Sequence, residues 1–124
     1  VDCICDDKEE LIKRTKEFAH RCIKLAMSLP GTDLGKHIRR QLIRCSTSVA
    51  ANYRATCLAQ SKASFISKLS IVLEEADESY FWLEFIIDEG LLKRRLVDSL
   101  LMEAEELKAI FISSLKTARS KNNR

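Results

Sequence analysis

Backbone breaks are scarce in this sequence. Its 124 residues include one proline and three glycines, placed at Pro30-Gly31, Gly35 and Gly90. An all-β sandwich or barrel turns every few residues and draws on many more of both, so this spacing points to a few long helices. The rest of the composition agrees, because Leu, Ile, Ala, Lys, Arg and Glu dominate and cost little in a helix. The chain is 46% hydrophobic and 31% charged. That is enough apolar side chain for a core and too much for intrinsic disorder as the main state. No uncharged apolar run reaches the roughly 18 residues of a membrane span, and no signal-peptide pattern opens the chain. A soluble, cytoplasmic protein is expected.

Apolar periodicity places four helices in one domain covering residues 1–124, at about 7–28, 35–60, 62–89 and 92–118. Residues 1–6 and 119–124 read as loose termini. Asp7-Lys8-Glu9-Glu10 resembles a capping box for the first helix. Leu11, Thr15, Phe18, Cys22, Leu25 and Leu29 then keep a four-three spacing along one face. Pro30-Gly31 ends that helix, and Thr32 or Asp33 can cap the next. In the second helix, Ile38, Leu42, Cys45, Val49, Tyr53 and Thr56 form the core stripe. Its middle, Ser46 to Ala51, is unusually small, which permits close helix approach but lowers intrinsic helicity. Ser61 is the boundary before the third helix, whose main apolar face runs Phe65, Leu69, Val72, Ala76, Tyr80, Leu83 and Ile87. The fourth helix points Val97, Leu100, Ala104, Leu107, Phe111 and Leu115 inward. Short connections between long helices predict an antiparallel up-down-up-down four-helix bundle, an all-α fold.

The third helix carries a second apolar stripe, about 100° round from the first. It holds Ile71, Trp82, Phe85 and Ile86. One apolar face suffices for a helix in a monomeric bundle, so the second is a candidate oligomer interface. Charge is also segregated. Residues 35–61 hold five basic groups and no acidic one, whereas 62–90 hold two basic and seven acidic. Such complementarity sets partner choice more than stability. Lys36, Arg40 and Arg44 share one side of the second helix at i, i+4 and i+8, and Arg54 continues it. Three readings stay open: a strip for nucleic-acid phosphates, a partner for acids of the third helix in the same or another chain, and a solvated face. Glu74, Glu75, Asp77 and Glu78 fan over a broad arc and do not converge as paired catalytic carboxylates would. Asn52 lies at the edge of the core stripe and is a candidate polar latch fixing helix register.

Chemistry-bearing motifs are absent. There is no dinucleotide or phosphate loop, nucleophile elbow, HExxH or paired CxxC motif, and Glu17-Phe18-Ala19-His20 stands alone where a di-iron bundle needs a Glu-x-x-His on each of two helices. Five cysteines without an export signal read as reduced thiols. Cys3-x-Cys5 lacks metal spacing, and His20 and His37 read as surface groups. No enzyme activity, cofactor, metal or membrane contact is expected.

Three stretches carry a family resemblance: Arg44-Cys45-Ser46-Thr47-Ser48-Val49-Ala50-Ala51-Asn52-Tyr53-Arg54-Ala55, Ser61 to Leu69, and Ile71-Val72-Leu73-Glu74-Glu75-Ala76-Asp77-Glu78-Ser79 with Tyr80-Phe81-Trp82-Leu83-Glu84. Together with Phe18-Ala19 and Leu29-Pro30, they resemble the bacterial four helix bundle protein family, which includes the 23S rRNA intervening-sequence proteins. The accessory variability determinant of diversity-generating retroelements is related to it. The resemblance spans about residues 8–118. It implies a cytosolic ring, most often a homopentamer, with nucleic acid and a nucleic-acid-processing protein as partners. Asn52 matches the family's recurrent Asn. Many members follow it with a small residue, an acid and Gly, where this chain has Tyr53-Arg54-Ala55.

The resulting expectation is a non-enzymatic, oligomeric bundle that binds RNA or DNA through a basic surface. The alternative is a structural or protein-binding assembly module without nucleic-acid contact.

Overall fold

The structure, a computed structural model, describes the backbone of residues 2–122 and the side chains of residues 8–120. Four helices make up the fold: α1 (Asp2–Met27), α2 (Asp33–Cys57), α3 (Lys62–Asp88) and α4 (Arg94–Asn122). No strand occurs among the described residues. Each helix packs on the next along the chain, and α4 returns to α1 through a thinner contact. One hydrophobic core draws on all four.

Each helix boundary has a local cause. Thr32 caps α2, its Oγ1 accepting the Gly35 N–H at 3.1 Å. Ser61 caps α3 in the same way, accepting from the Ser64 N–H at 3.0 Å. Such oxygens satisfy amides that have no intrahelical partner. At the end of α3, Gly90 takes φ +66°. There the Gly90 N–H donates to the Ile87 carbonyl and the Leu91 N–H to the Ile86 carbonyl, both at 3.0 Å. This is the Schellman arrangement, and its left-handed residue favours glycine. The end of α1 is held from outside. Arg39 donates to the Ala26 carbonyl at 3.2 Å and the Leu29 carbonyl at 2.7 Å, placing a cation at the negative end of the helix.

Several boundaries differ from expectation. The helix α1 begins at Asp2, so Asp7 lies inside it rather than opening it, and α4 extends through residues 119–122. The backbone of both segments, which the sequence left outside the helices, is helical. The side chains of Cys3, Cys5 and Asp7 lie outside the described residues. In the other direction, α2 stops at Cys57 and α4 starts at Arg94. Leu58 to Ser61 form the link into α3, with Leu58 and Ala59 still bonded back to the α2 carbonyls of Ala55 and Thr56.

The expected core stripes of α2 and α4 are buried throughout. Phe18, Phe111, Ile38, Leu42, Leu69, Leu83, Ile86 and Leu107 are its largest fully buried side chains. Full burial of such a group is worth about 1.5–3 kcal/mol. Tyr53 stacks on Phe111 with ring centroids 5.8 Å apart, linking α2 to α4. The core of α3 is rotated from expectation. Ser79 and Ile86 are fully buried, while Tyr80 and Ile87 are half-buried at the α4 side. Ser79 is tolerated inside because its hydroxyl donates to the Glu75 carbonyl at 2.8 Å and lies 3.3 Å from Cys45 Sγ. Buried Thr15 similarly donates to the Leu11 carbonyl at 2.8 Å. Among the described residues, no buried side-chain nitrogen or oxygen lacks a partner, as a well-formed interior requires.

Candidate interaction surfaces on the second and third helices

The periodicity that turns Ile38, Leu42, Cys45, Val49 and Tyr53 inward turns Lys36, Arg40, Arg44 and Arg54 outward. All four are exposed. Their surroundings separate them into two sets. Arg44 reaches across to α3, with its guanidinium 3.4 Å from Glu75 Oε1 and in close contact with Glu78. Lys36, Arg40 and Arg54 make no ion pair among the described residues. The exterior of α1 adds Lys13, Lys16 and Lys24, also exposed and also outside any ion pair among the described residues. Thus one member of the expected strip fastens α2 to α3, and three stay open to solvent.

The acidic cluster of α3 divides similarly. Glu75 and Glu78 meet Arg44, while Asp77 meets Lys108 of α4 at 2.8 Å. Lys108 also lies over the Tyr80 ring at 4.8 Å. Glu74, Glu84, Asp88 and Glu89 remain exposed. No two of these carboxylates form an acid–base couple around a shared cavity. The described residues include no group of three or more His, Cys, Asp or Glu able to hold a metal ion.

The second apolar stripe of α3 is only partly available. Ile86 is fully buried in the core, so it is corrected from an interface residue to a packing residue. Its angular position falls within the arc that α2 covers. Trp82 and Phe85 are half-buried, whereas Ile71 is 40% exposed. The indole N–H of Trp82 donates to Glu78 Oε2 at 3.2 Å, and His37 of α2 meets its ring edge-on at 5.5 Å. Phe81, which the sequence pattern left unassigned, is 47% exposed. It packs edge-on against Trp82 at 4.9 Å and Phe85 at 5.5 Å. The surface left by the fold is therefore an aromatic cluster centred on Phe81, with Ile71 farther along α3.

Asn52 is half-buried at the α3 side of α2, and its amide donates to the Ser48 carbonyl of its own helix at 2.9 Å. This one-turn bond pairs the amide with the backbone of its own helix, so the polar contact expected of Asn52 is made locally. Ser46 and Thr47 make comparable bonds back to the Ile43 carbonyl. The hydroxyls of Ser46 and Thr47 in the small run are thus paired within the helix.

Two thiols sit in the interior. Burial pushes Cys45 from its ordinary 9.0 up to about 11, with Ser79 partly opposing the change. Burial raises Cys22 further still. High values disfavour the thiolate and make these groups packing elements rather than nucleophiles. Cys57, near the end of α2, is half-buried and also raised by desolvation.

No helix among the described residues is long and apolar enough to cross a membrane. Among curated proteins, none matches this chain. A solved structure does: a protein of unknown function from the S23 ribosomal protein family of Bacteroides thetaiotaomicron. It is 34% identical, with a TM-score of 0.79 over 85% of this chain and 97% of that one. The family model described as 23S rRNA-intervening sequence protein matches residues 7–113. That match spans most of the helical core and both surfaces described above, and the chain belongs to the 23S rRNA-intervening sequence protein family.

Proposed function

We propose that this protein is a non-enzymatic, cytoplasmic, antiparallel up-down-up-down bundle that self-associates and contacts nucleic-acid phosphates through the outer face of α2. The pairings of Arg14 with Glu103 and of Arg21 with Ser99 support the antiparallel reading, since residues later in α1 meet residues earlier in α4. The exposed Phe81 cluster supports self-association, because an aromatic patch open to water is covered at a contact between copies. A closed ring, with five copies as the expected number, would repeat the basic strip around its axis. Modest contacts on each copy then add through multivalency.

The observation that carries the nucleic-acid reading is that Lys36, Arg40 and Arg54 lie exposed along one helix and make no ion pair among the described residues. RNA and DNA titrations against salt test it. Lys36→Gln, Arg40→Gln and Arg54→Gln together should weaken binding for every sequence and flatten the logarithmic salt slope. Each lost phosphate contact removes about 0.7 from the slope on single strands and about 0.9 on duplex. Absence of binding at low salt would overturn the reading.

The pairing of Arg44 with Glu75 and Glu78 favours a second reading. The same complementarity could act between copies, with the α2 strip of one meeting Glu74, Glu84 and the Phe81 cluster of the next. A contact between two different surfaces of this kind is heterologous and generates a ring if the rotation closes. The protein would then be an assembly module, and the triple variant would dissociate instead of only losing nucleic acid.

A further inference from the structure

Where α1 and α4 diverge, the core opens into a cleft of about 730 Å³ reaching all four helices. Its walls are Leu11, Tyr53, Phe65, Leu69 and Ile110. Leu69 and Tyr53, at 1% and 6% exposure, form its floor where it borders the core. The opening has a sequence cause. Along α4 the side bordering this cleft carries Ser113, Ser114, Thr117 and Ala118, while Leu115 of the same stretch stays in the core. The small side chains leave space beside that core.

The chemistry of the mouth differs from that of the walls. Lys8 and Lys62 stand on the rim, and among the described residues Glu10 is the carboxylate lining it. Arg14 also borders the cleft, but Glu103 and Glu106 take up its charge. Neither Lys8 nor Lys62 makes an ion pair among the described residues. Lys8 donates only to the Cys57 carbonyl, at 3.4 Å. The volume lies in the range of small-molecule sites, which combine apolar walls with a few polar groups that fix orientation.

We propose that this cleft binds a single-chain amphiphile, with its alkyl chain between Leu11, Tyr53, Phe65 and Leu69 and its anionic head at Lys62 and Lys8. The shared head chemistry is a carboxylate or a phosphate monoester. A flexible chain suits walls supplied by four separate helices, and the two lysines among the described residues at the mouth, Lys8 and Lys62, match a negative head. The site is separate from the α2 strip and does not depend on the nucleic-acid reading.

Calorimetric titration of the full chain with octanoate, decanoate and dodecanoate below their micellar concentrations tests this proposal. Dodecyl phosphate and dodecanol distinguish the heads. Affinity should rise about threefold to fourfold per methylene as the chain fills the cleft. Ser114→Phe narrows the cleft from a half-buried position on α4 and should weaken all three dodecyl ligands at least tenfold. Lys62→Glu, at an exposed site, should weaken dodecanoate and dodecyl phosphate but leave dodecanol unchanged. Bound ligand should also slow alkylation of Cys57, which lines the cleft. Circular dichroism of both variants establishes that they are folded. The proposal is overturned by the absence of saturable binding, by affinity that ignores chain length, or by full affinity in Ser114→Phe. Release of ligand as protein concentration rises would also overturn it, because a second copy would then be the occupant.

Discussion

Replacing Arg14 should loosen the contact that returns α4 to α1. That contact is the thinnest between helices, and Arg14 spans it. Its Nε and Nη2 donate to the two oxygens of Glu103 at 2.7 and 2.8 Å, and Nη2 also meets Glu106 at 2.6 Å. Exposed pairs contribute about 0–1 kcal/mol, and the Glu106 contact belongs there because that carboxylate is 61% exposed. Glu103 differs, with 16% exposure and a two-pronged bond. Arg14 is still 32% exposed, so solvent screening limits its coupling to Glu103 to about 1–2 kcal/mol. Arg14→Met also leaves Glu103 without its cation, giving a total cost of about 2–3 kcal/mol. At a chain of this size, that corresponds to a loss of about 6–12 °C in Tm. The assay is a double-mutant cycle with Glu103→Met, by thermal and urea unfolding at one protein concentration. The Glu103 hydrogen bonds, against some desolvation, raise the Arg14 guanidinium above its ordinary value. Stability from that shift is fully present below the ordinary value and is lost only as pH rises through the folded one. The Arg14 contribution should therefore be flat from pH 6 to 10. A coupling energy below about 0.3 kcal/mol at low salt would refute the assignment.

Other perturbations follow from single contacts. Gly35→Ala places a Cβ 2.0 Å from the Pro30 carbonyl oxygen and should displace the α1–α2 turn, costing more than about 3 kcal/mol in urea unfolding. Gly90→Ala meets no atom within 4 Å, so only its positive φ is opposed and the loss should be about 1 kcal/mol. Cys45 is raised in the folded state, so its stability contribution is complete below pH 9.0 and lost between there and about 11. Cys45→Ala should reduce the fall in Tm over that interval, as pH-resolved melting would show. Asn52→Ala should cost under about 1 kcal/mol, because the amide bonds only its own helix.

The fold was legible in the sequence because helix punctuation and the 3.6-residue period are local signals. Thr32 and Ser61 act as caps where their spacing suggested, and every expected core residue of α2 and α4 is buried. The rotation of α3 was less legible. Ile86 and Trp82 share an apolar flank, and only the position of α2 decides that Ile86 enters the core while Trp82 stays at the edge beside His37. Ser79 gave no apolar signal and is buried because a carbonyl of its own helix satisfies it. Arg39 carried no assignment in the sequence pattern, yet it closes the C-terminal end of α1 through contacts that depend on the α1–α2 turn. Likewise, the i, i+4 spacing put Arg44 on a common side with Lys36 and Arg40. It could not show that Glu75 and Glu78 lie within reach of only one of them. The cleft left a faint trace in Ser113, Ser114, Thr117 and Ala118, a small-residue stretch whose consequence depends on the separation of α1 from α4.

The most direct measurement is amine labelling of Lys36, mapped by mass spectrometry in the full chain with and without RNA. Exposed Lys93, at the start of the α4 segment, serves as the internal reference. The nucleic-acid account predicts that Lys36 is labelled freely in the full chain without RNA and becomes protected in proportion to bound RNA, with protection released by salt. Lys36 already protected by assembly, or labelled equally with and without bound RNA, would contradict it.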